Sequence, residues 1–368
     1  MPTRSDPVRT GVLPFVLLGT SLLAGCHSIG PATVARDRSD YSSSISESWK
    51  RQTLLNIVKL RYFDPPIFVD VGQIVAGYSL ETTLNAGGQI SSGNAIQGNS
   101  ALFGASGRFT DRPTITYTPL TGNKFVKALM TPLTPESVFF LIQAGWPADG
   151  VLMAAVASLN GLKNQENSVA GVTPPDPDFV RALELLRNIQ RSGAVSLRVQ
   201  QDAEKKEMKQ TSLLTFRSKE VSATTLAEIR ELRQLLRLDQ EATEFTLVFG
   251  GTSAHDKEVA VLTRSLLHIM GTMAAQVDVP PGDIAQGRAT PGLPEGADPA
   301  QPGGLLRIHS SSSKPADAAV AVSYRDAWFW IDDRDLKSKR AFAFMLILFT
   351  LADTGEKESL PLITIPAQ

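Results

Sequence analysis

The sequence predicts an α+β protein in which a long antiparallel β-hairpin and several helices precede small mixed α/β regions. Two segments in the first third of the chain alternate apolar and polar residues, which is typical of strands with one apolar face. Later segments repeat apolar residues at the three- and four-residue spacing of helices. The 368 residues are 42% hydrophobic and 20% charged. This composition is ordinary for globular domains, and the length exceeds one typical domain of about 100–200 residues.

The N-terminus has the layout of a secretion signal. Two early arginines precede an apolar stretch over residues 11–24, which is shorter than the roughly 20 residues that a bilayer-spanning helix needs. The run Leu23-Ala24-Gly25-Cys26 ends this stretch, and it resembles the lipobox of bacterial lipoprotein precursors. The resemblance covers residues 1–26 alone. It implies a signal peptide of residues 1–25 that is cleaved, and attachment of lipid to Cys26.

This resemblance implies that the mature chain is bound to a membrane through its N-terminal lipid. Cys26 is the single cysteine, so disulfides, thiolate metal sites and a cysteine nucleophile are not expected. In lipoproteins similar to those of enteric bacteria, aspartate after the cysteine retains the protein in the inner membrane, so His27 favours the periplasmic face of the outer membrane. Residues 26–46 are rich in Ser, Arg and Asp and are predicted to form a lipidated tether. The net charge of −1 indicates no nucleic-acid partner.

The first structural region is predicted to comprise residues 47–162. A helix is expected to begin near Ser46 and to end at Asp64-Pro65-Pro66, because proline cannot continue a helix. Thr134 and Pro135 predict the N-cap and first position of a second helix. A further helix is predicted over residues 148–162.

An antiparallel hairpin is predicted over residues 67–119. Its arms are the alternating segments 74–86 and 101–117, joined by a polar tip rich in glycine and serine. The simplest interpretation is a half-buried sheet whose apolar face packs on the helices. Alternatively, the hairpin enters a membrane, since a transmembrane strand needs about 9–11 residues with one apolar face. Several subunits would then have to contribute hairpins, because a lone hairpin leaves its edges unpaired in lipid.

The rest of the chain is predicted to form smaller regions separated by polar segments. Residues 163–178 are predicted to be a linker, 179–279 an α/β region, 280–304 a Pro- and Gly-rich disordered loop, and 305–368 a C-terminal ββαβ-like region. Helices are expected over 179–190, 224–238, 257–277 and 335–352. Strands are expected over 194–199, 212–216, 244–249, 305–310, 319–324, 327–331 and 360–365.

The sequence offers only weak catalytic and metal-binding motifs. Ser311-Ser-Ser-Lys314 matches the S-x-x-K pattern of penicillin-binding enzymes, but the chain contains no K-T-G. The histidines lack the H-E-x-x-H spacing of zinc sites. Asp332-Asp333-Arg334-Asp335 lacks the spacing and glycine of a calcium loop and predicts an acidic helix N-terminus. We therefore predict no catalytic residue, no metal and no cofactor.

Trp328 and Trp330 are two positions apart in a predicted strand, so both are expected on one face and Phe329 on the other. Such a pair can stack on a ligand such as a sugar ring, although packing in the core is the simpler role.

Together these features predict a lipid-anchored cell-envelope protein with a structural, assembly or binding role and no enzymatic activity. Its partner would be another envelope protein or a further copy of the chain. Two alternatives stay open. One is a subunit of an oligomeric outer-membrane export or pore complex that uses hairpin 67–119. The other is a periplasmic envelope hydrolase.

Overall fold

A computed structural model describes residues 29–75, 77–89, 100–120, 123–168, 171–201, 210–217, 219–291 and 306–352. The fold is α+β, as predicted. The chain divides into two compact units, which are Met1–Glu47 with Val69–Thr118, and Ser48–Phe68 with Pro119–Gln368. Several predicted features lie outside the described residues. They are the signal peptide, Cys26, the strand expected over 360–365 and most of the hairpin tip.

The first helix of the described residues, α1, extends from Ile29 to Arg61, so the prediction that it begins near Ser46 was wrong. That prediction relied on apolar spacing, which is absent from the polar residues before Ser46. After Pro31 these residues contain no proline or glycine, so nothing interrupts the backbone hydrogen bonds of the helix. Asn56, inside α1, binds the backbone of Ile67, which lies beyond the C-terminus of the helix. Its side chain donates to Ile67 O at 2.8 Å and accepts from Ile67 N at 3.0 Å.

The predicted hairpin is confirmed and is built from four strands. They are β1 (Phe68–Val75), β2 (Tyr78–Gln89), β3 (Ser100–Asp111) and β4 (Thr114–Leu120). Strands β2 and β3 pair along their full length, while β1 pairs with β4. Between the two ladders, Arg112 N donates to Gly77 O at 2.9 Å.

The larger unit is organised around a six-stranded sheet. Its helices are α2 (Asn123–Met130), α3 (Pro135–Gln143), α4 (Ala148–Ala155), α5 (Pro177–Arg191), α6 (Ala223–Leu235), α7 (Leu266–Ala274) and α8 (Pro281–Ala285). Its first strands are β5 (Val156–Leu159), β6 (Leu162–Lys163), β7 (Glu166–Ser168), β8 (Gly171–Thr173), β9 (Val195–Gln201), β10 (Gln210–Phe216), β11 (Glu244–Phe249) and β12 (Glu258–Thr263). The sheet order is β6-β5-β12-β11-β10-β9, antiparallel except between β11 and β12.

Two predicted helices were wrong because each contains a strand of this sheet. The helix expected over 148–162 ends at Ala155, and the chain turns at Asn160 and Gly161, whose φ angles are 43° and 87°. A two-residue turn with both φ angles positive is the favoured connection of a hairpin. The helix expected over 257–277 is instead β12 followed by α7. Strand β12 lies inside the sheet, and Val259, Ala260 and Val261 are buried on both sides of it, so this stretch lacks the alternation that identifies strands with one exposed face.

Three further predictions can be compared with the structure. Thr134 caps α3 as predicted, its Oγ1 accepting from Ser137 N at 3.2 Å. The segment predicted to be a linker contains the β7–β8 ladder. The segment expected to be disordered from residue 280 begins with α8, and residues 292–305 lie outside the described part of the chain.

The C-terminal part consists of a three-stranded antiparallel sheet followed by a long helix. The elements are β13 (His309–Ser311), β14 (Ala318–Tyr324), β15 (Ala327–Asp332) and α9 (Leu336–Ala352), and the strand order is β13-β15-β14. Helix α9 buries one side, which includes Met345 and Leu348. The rings of Trp49, Phe68 and Phe349 meet with centroids 5.0–5.8 Å apart. Among the described helices, none combines the length and apolarity needed to span a membrane.

Asn160 is predicted to be the most sensitive turn residue of the sheet. Its side chain donates to Leu236 O at 2.7 Å and accepts from Ala260 N at 2.6 Å. Asn160→Ala removes both bonds and places alanine at positive φ, so we expect the free energy of unfolding to fall by about 3 kcal/mol. Urea denaturation of the mature protein, followed by tryptophan fluorescence, measures this.

The matched control is Asn188→Ala. Asn188 lies on α5 and donates to Glu228 Oε1 at 2.9 Å in a solvent-exposed hydrogen bond, so its loss should change stability by less than about 0.5 kcal/mol. Equal losses in the two variants would contradict the role given to Asn160.

Candidate functional site

The hairpin formed by β2 and β3, here called the β2–β3 hairpin, is a sheet of two strands. Within the described residues neither strand pairs with a third. Opposed residues of an antiparallel pair lie on the same face, so the register defines two faces. The apolar face contains the pairs Leu80↔Phe109, Thr82↔Gly107, Leu84↔Ala105 and Ala86↔Phe103. The polar face contains the pairs Ser79↔Thr110, Glu81↔Arg108, Thr83↔Ser106 and Asn85↔Gly104.

Several apolar residues of the smaller unit are exposed. Phe109 on the apolar face is 53% exposed, and on β4 Ile115 and Tyr117 are 37% and 62% exposed. The expectation that the apolar face packs on helices is therefore wrong for these residues. The described side chains of the polar face are largely exposed as well. Burial within this chain therefore supplies little stabilisation at these positions, and exposed apolar surface of this kind marks contact with lipid or protein.

The distal part of the hairpin carries no charge. No Asp, Glu, Lys, Arg or His occurs from Thr82 to Gly107, whereas 20% of the whole chain is charged. Solvent-exposed segments ordinarily carry charges for solubility. Charged residues on the lipid-facing side of a transmembrane strand are unfavourable, by about 2–4 kcal/mol for Arg or Lys at mid-depth. The distal part of the hairpin therefore lacks the charges that usually keep an exposed segment soluble.

A polar contact joins the base of the hairpin to α1. Tyr78 Oη donates to Asp37 Oδ2 at 2.5 Å, and Arg36 Nη2 lies 3.2 Å from Asp37 Oδ1. The hydrogen bond from Tyr78 holds the pKa of Asp37 below its ordinary value. The Tyr78 ring also stacks on Phe109, with centroids 6.1 Å apart and planes 19° from parallel. Asp37 therefore fixes the first rung of the hairpin to the helix.

This contact limits the distance between the hairpin and the predicted lipid. From Ile29 to Asp37 the helix rises about 12 Å, at 1.5 Å per residue. The three residues from Cys26 to Ile29 can span at most about 11 Å in any conformation. The backbone of Asp37 thus lies within about 25 Å of Cys26, which is less than the roughly 30 Å thickness of a bilayer core. A lipid on Cys26 would hold the hairpin base close to the membrane.

Trp328 and Trp330 lie on the same face of β15, while Phe329 is fully buried on the other, which confirms the predicted alternation. The His309 ring lies against Trp330 at 4.7 Å between centroids, and Lys314 Nζ is 5.7 Å from the Trp328 centroid. Each indole thus already has one aromatic or cationic neighbour. Trp330 Nε1 is buried and finds no hydrogen-bond partner among the described residues. Ligand stacking on this pair stays a prediction.

The other motifs have local structural partners. Ser311 Oγ donates to Ser313 O at 2.7 Å, whereas Lys314 lies over Trp328. Burial would raise the pKa of Asp335, but hydrogen bonds from Ser338 outweigh it and hold this pKa below its ordinary value. The bond from Ser338 N, at 3.0 Å, is typical of a helix start. In the described part of the chain, no group of His, Cys, Asp and Glu side chains is arranged to hold a metal ion.

No protein-family model matches the chain, and comparison with curated proteins and with solved structures gives no match either.

Three features of the hairpin were not predicted from the sequence. The charge-free run was visible in the sequence and was not used. The contact between Asp37 and Tyr78 carries no local signal, because the residues are far apart in the chain. The pairing of Glu81 with Arg108 follows only from the register.

Tyr78→Phe tests the contact at the hairpin base. It keeps the ring on Phe109 and removes the donor to Asp37, so the pKa of Asp37 should rise toward 3.8. A lowered folded pKa stabilises the contact fully above pH 3.8, and this stabilisation is lost as pH falls through the folded value. The carboxyl ¹³C resonance of Asp37, titrated in the detergent-solubilised mature protein, measures the change.

The control is Tyr117→Phe, which removes a hydroxyl from the exposed Tyr117 of β4. It should leave the pKa of Asp37 unchanged. The assignment fails if Tyr78→Phe also leaves it unchanged.

Proposed function

We propose that this chain is a lipid-anchored subunit of an oligomeric outer-membrane export or pore complex, in which several copies each insert the β2–β3 hairpin into the membrane. The observation that carries the proposal is a two-stranded hairpin whose described apolar-face residues, such as Phe109, are exposed, and whose base lies near the predicted lipid site. The sequence alone predicted a structural, assembly or binding role and left this function as an alternative; the described hairpin is what favours the alternative.

The unpaired edges explain why several copies are required. Each arm has 12 residues, and about half of them direct their backbone N–H and C=O groups away from the other arm. In lipid each unsatisfied group costs several kcal/mol, so a single hairpin cannot insert alone. In water an isolated two-stranded hairpin is at best marginally stable. Edge-to-edge pairing between copies in the membrane removes both difficulties.

The length of the hairpin fits a membrane. Twelve residues at about 3.4 Å each form a strand of about 40 Å. At the tilt of about 35–45° that is usual in membrane sheets, the strand rises about 30 Å. The lipid-facing band of such sheets is about 25 Å tall. The paired arms are therefore long enough to cross with their polar tip beyond the far side.

Glycines in the arms also support contact with another copy. A Cβ atom added to Gly87, Gly88 or Gly107 would meet nothing within 4 Å, so packing within this chain does not require glycine there. Glycine inside a strand costs about 0.5–1 kcal/mol relative to alanine. Such glycines commonly mark the close approach of a ligand or another backbone. A neighbouring hairpin supplies that backbone.

Lipidation is tested with Cys26→Ser. The variant lacks the sulfur that would receive the lipid, so labelled palmitate should not be incorporated. The matched variant His27→Asp keeps the cysteine and should still be labelled, but it should shift from the outer to the inner membrane on fractionation. Equal labelling of Cys26→Ser and the wild type would contradict the lipoprotein assignment.

Membrane insertion is tested by placing the same charge on opposite faces of one arm. Ala105 lies on the apolar face, Ser106 on the polar face, and both are exposed. Ala105→Arg puts a charge in lipid at a cost of about 2–4 kcal/mol per subunit, so it should abolish dye release from vesicles of outer-membrane lipid composition. Ser106→Arg should retain release.

Light scattering with correction for detergent gives the native mass of the lipidated wild type in the same preparation. A ring of several subunits is expected. A monomer or dimer, or equal dye release by the two arginine variants, would refute insertion of shared hairpins.

A further inference from the structure

The β2–β3 hairpin contains one charged rung between its base and its tip. Glu81 on β2 is opposite Arg108 on β3, and both side chains are exposed on the polar face. From Tyr78 to Thr110 the chain has no other charged residue. The rung lies three residues from the Tyr78↔Asp111 pair at the hairpin base, on the side of the hairpin held by α1. Within the arms beyond the Tyr78↔Asp111 pair, this rung therefore lies at the end nearest the predicted anchor.

The geometry points to Glu81 and Arg108 as a ring of balanced charge at the end of the pore nearest the predicted lipid anchor. This inference rests on the proposed function. When hairpins pair side by side with their apolar faces toward lipid, their polar faces line the aqueous interior. Each copy then contributes one carboxylate and one guanidinium at the same depth. The ring alternates in sign and has no net charge.

The chemistry of this ring predicts what the pore discriminates. Rings of one sign of charge select ions of the opposite sign. A balanced ring favours neither cations nor anions. Beyond the rung the described polar face has hydroxyl, amide and glycine positions, such as Thr83, Asn85 and Ser106. Passage would therefore depend on size and hydrogen bonding, and the cargo class is polar without regard to net charge.

Single-channel recording of the full lipidated protein in planar bilayers tests the ring, with a KCl gradient as the probe. The wild type should show a K⁺/Cl⁻ permeability ratio near unity. Glu81→Gln leaves a ring of guanidinium groups and should shift the ratio about tenfold toward Cl⁻. Arg108→Gln leaves a ring of carboxylates and should shift it about tenfold toward K⁺.

The controls remove the same charges from an exposed ion pair of the larger unit, in which Arg334 and Asp317 lie 3.1 Å apart. Arg334→Gln and Asp317→Asn should keep the wild-type ratio. If Glu81→Gln, Arg108→Gln and the wild type all conduct with the same K⁺/Cl⁻ permeability ratio, the proposed ring is refuted while the proposed pore function stands. A wild type that produces no conductance steps would overturn the pore function, and the ring with it.

Discussion

The open edges of the β2–β3 hairpin are the constraint on which the functional interpretation depends. Backbone N–H and C=O groups must be hydrogen-bonded wherever water is excluded, and the described sheet supplies partners on the inner side of each arm alone. Water would satisfy the outer groups but would leave an apolar face exposed. Lipid would cover that face but leave the outer groups unpaired. In the proposed assembly, neighbouring strands within a membrane would satisfy both requirements.

The predicted lipid and the contact between Asp37 and Tyr78 would favour pairing of hairpins from several copies. An anchor confines every copy to one surface and raises its effective concentration there, so weak contacts between copies become sufficient. The continuous helix α1 transmits this confinement, because Asp37 lies in the same helix that begins three residues after Cys26. Without that contact, the anchor would hold α1 near the membrane and leave the first rung of the hairpin free.

The sequence predicted those parts of the fold that have a local periodic signal. The alternating arms of the hairpin, the proline-terminated end of α1 and the Thr134 cap were all visible from residue type and spacing. Strand β12 was taken for a helix because Val259, Ala260 and Val261 are buried together and show no alternation. The rung of Glu81 and Arg108 required the register of two distant segments. Single-sequence patterns do not specify such long-range pairings.

The two units differ in what stabilises them, and this difference bears on the order of assembly. The larger unit has its own core, with Leu54, Ile57 and Phe68 fully buried, so its folding requires no membrane. The described hairpin residues have no comparable core, and a charge-free strand pair with exposed apolar residues is prone to edge-to-edge aggregation. In the proposed function, pairing between copies in the membrane would limit that hazard. The larger unit would then fold first, and the hairpin would pair with neighbouring copies afterwards.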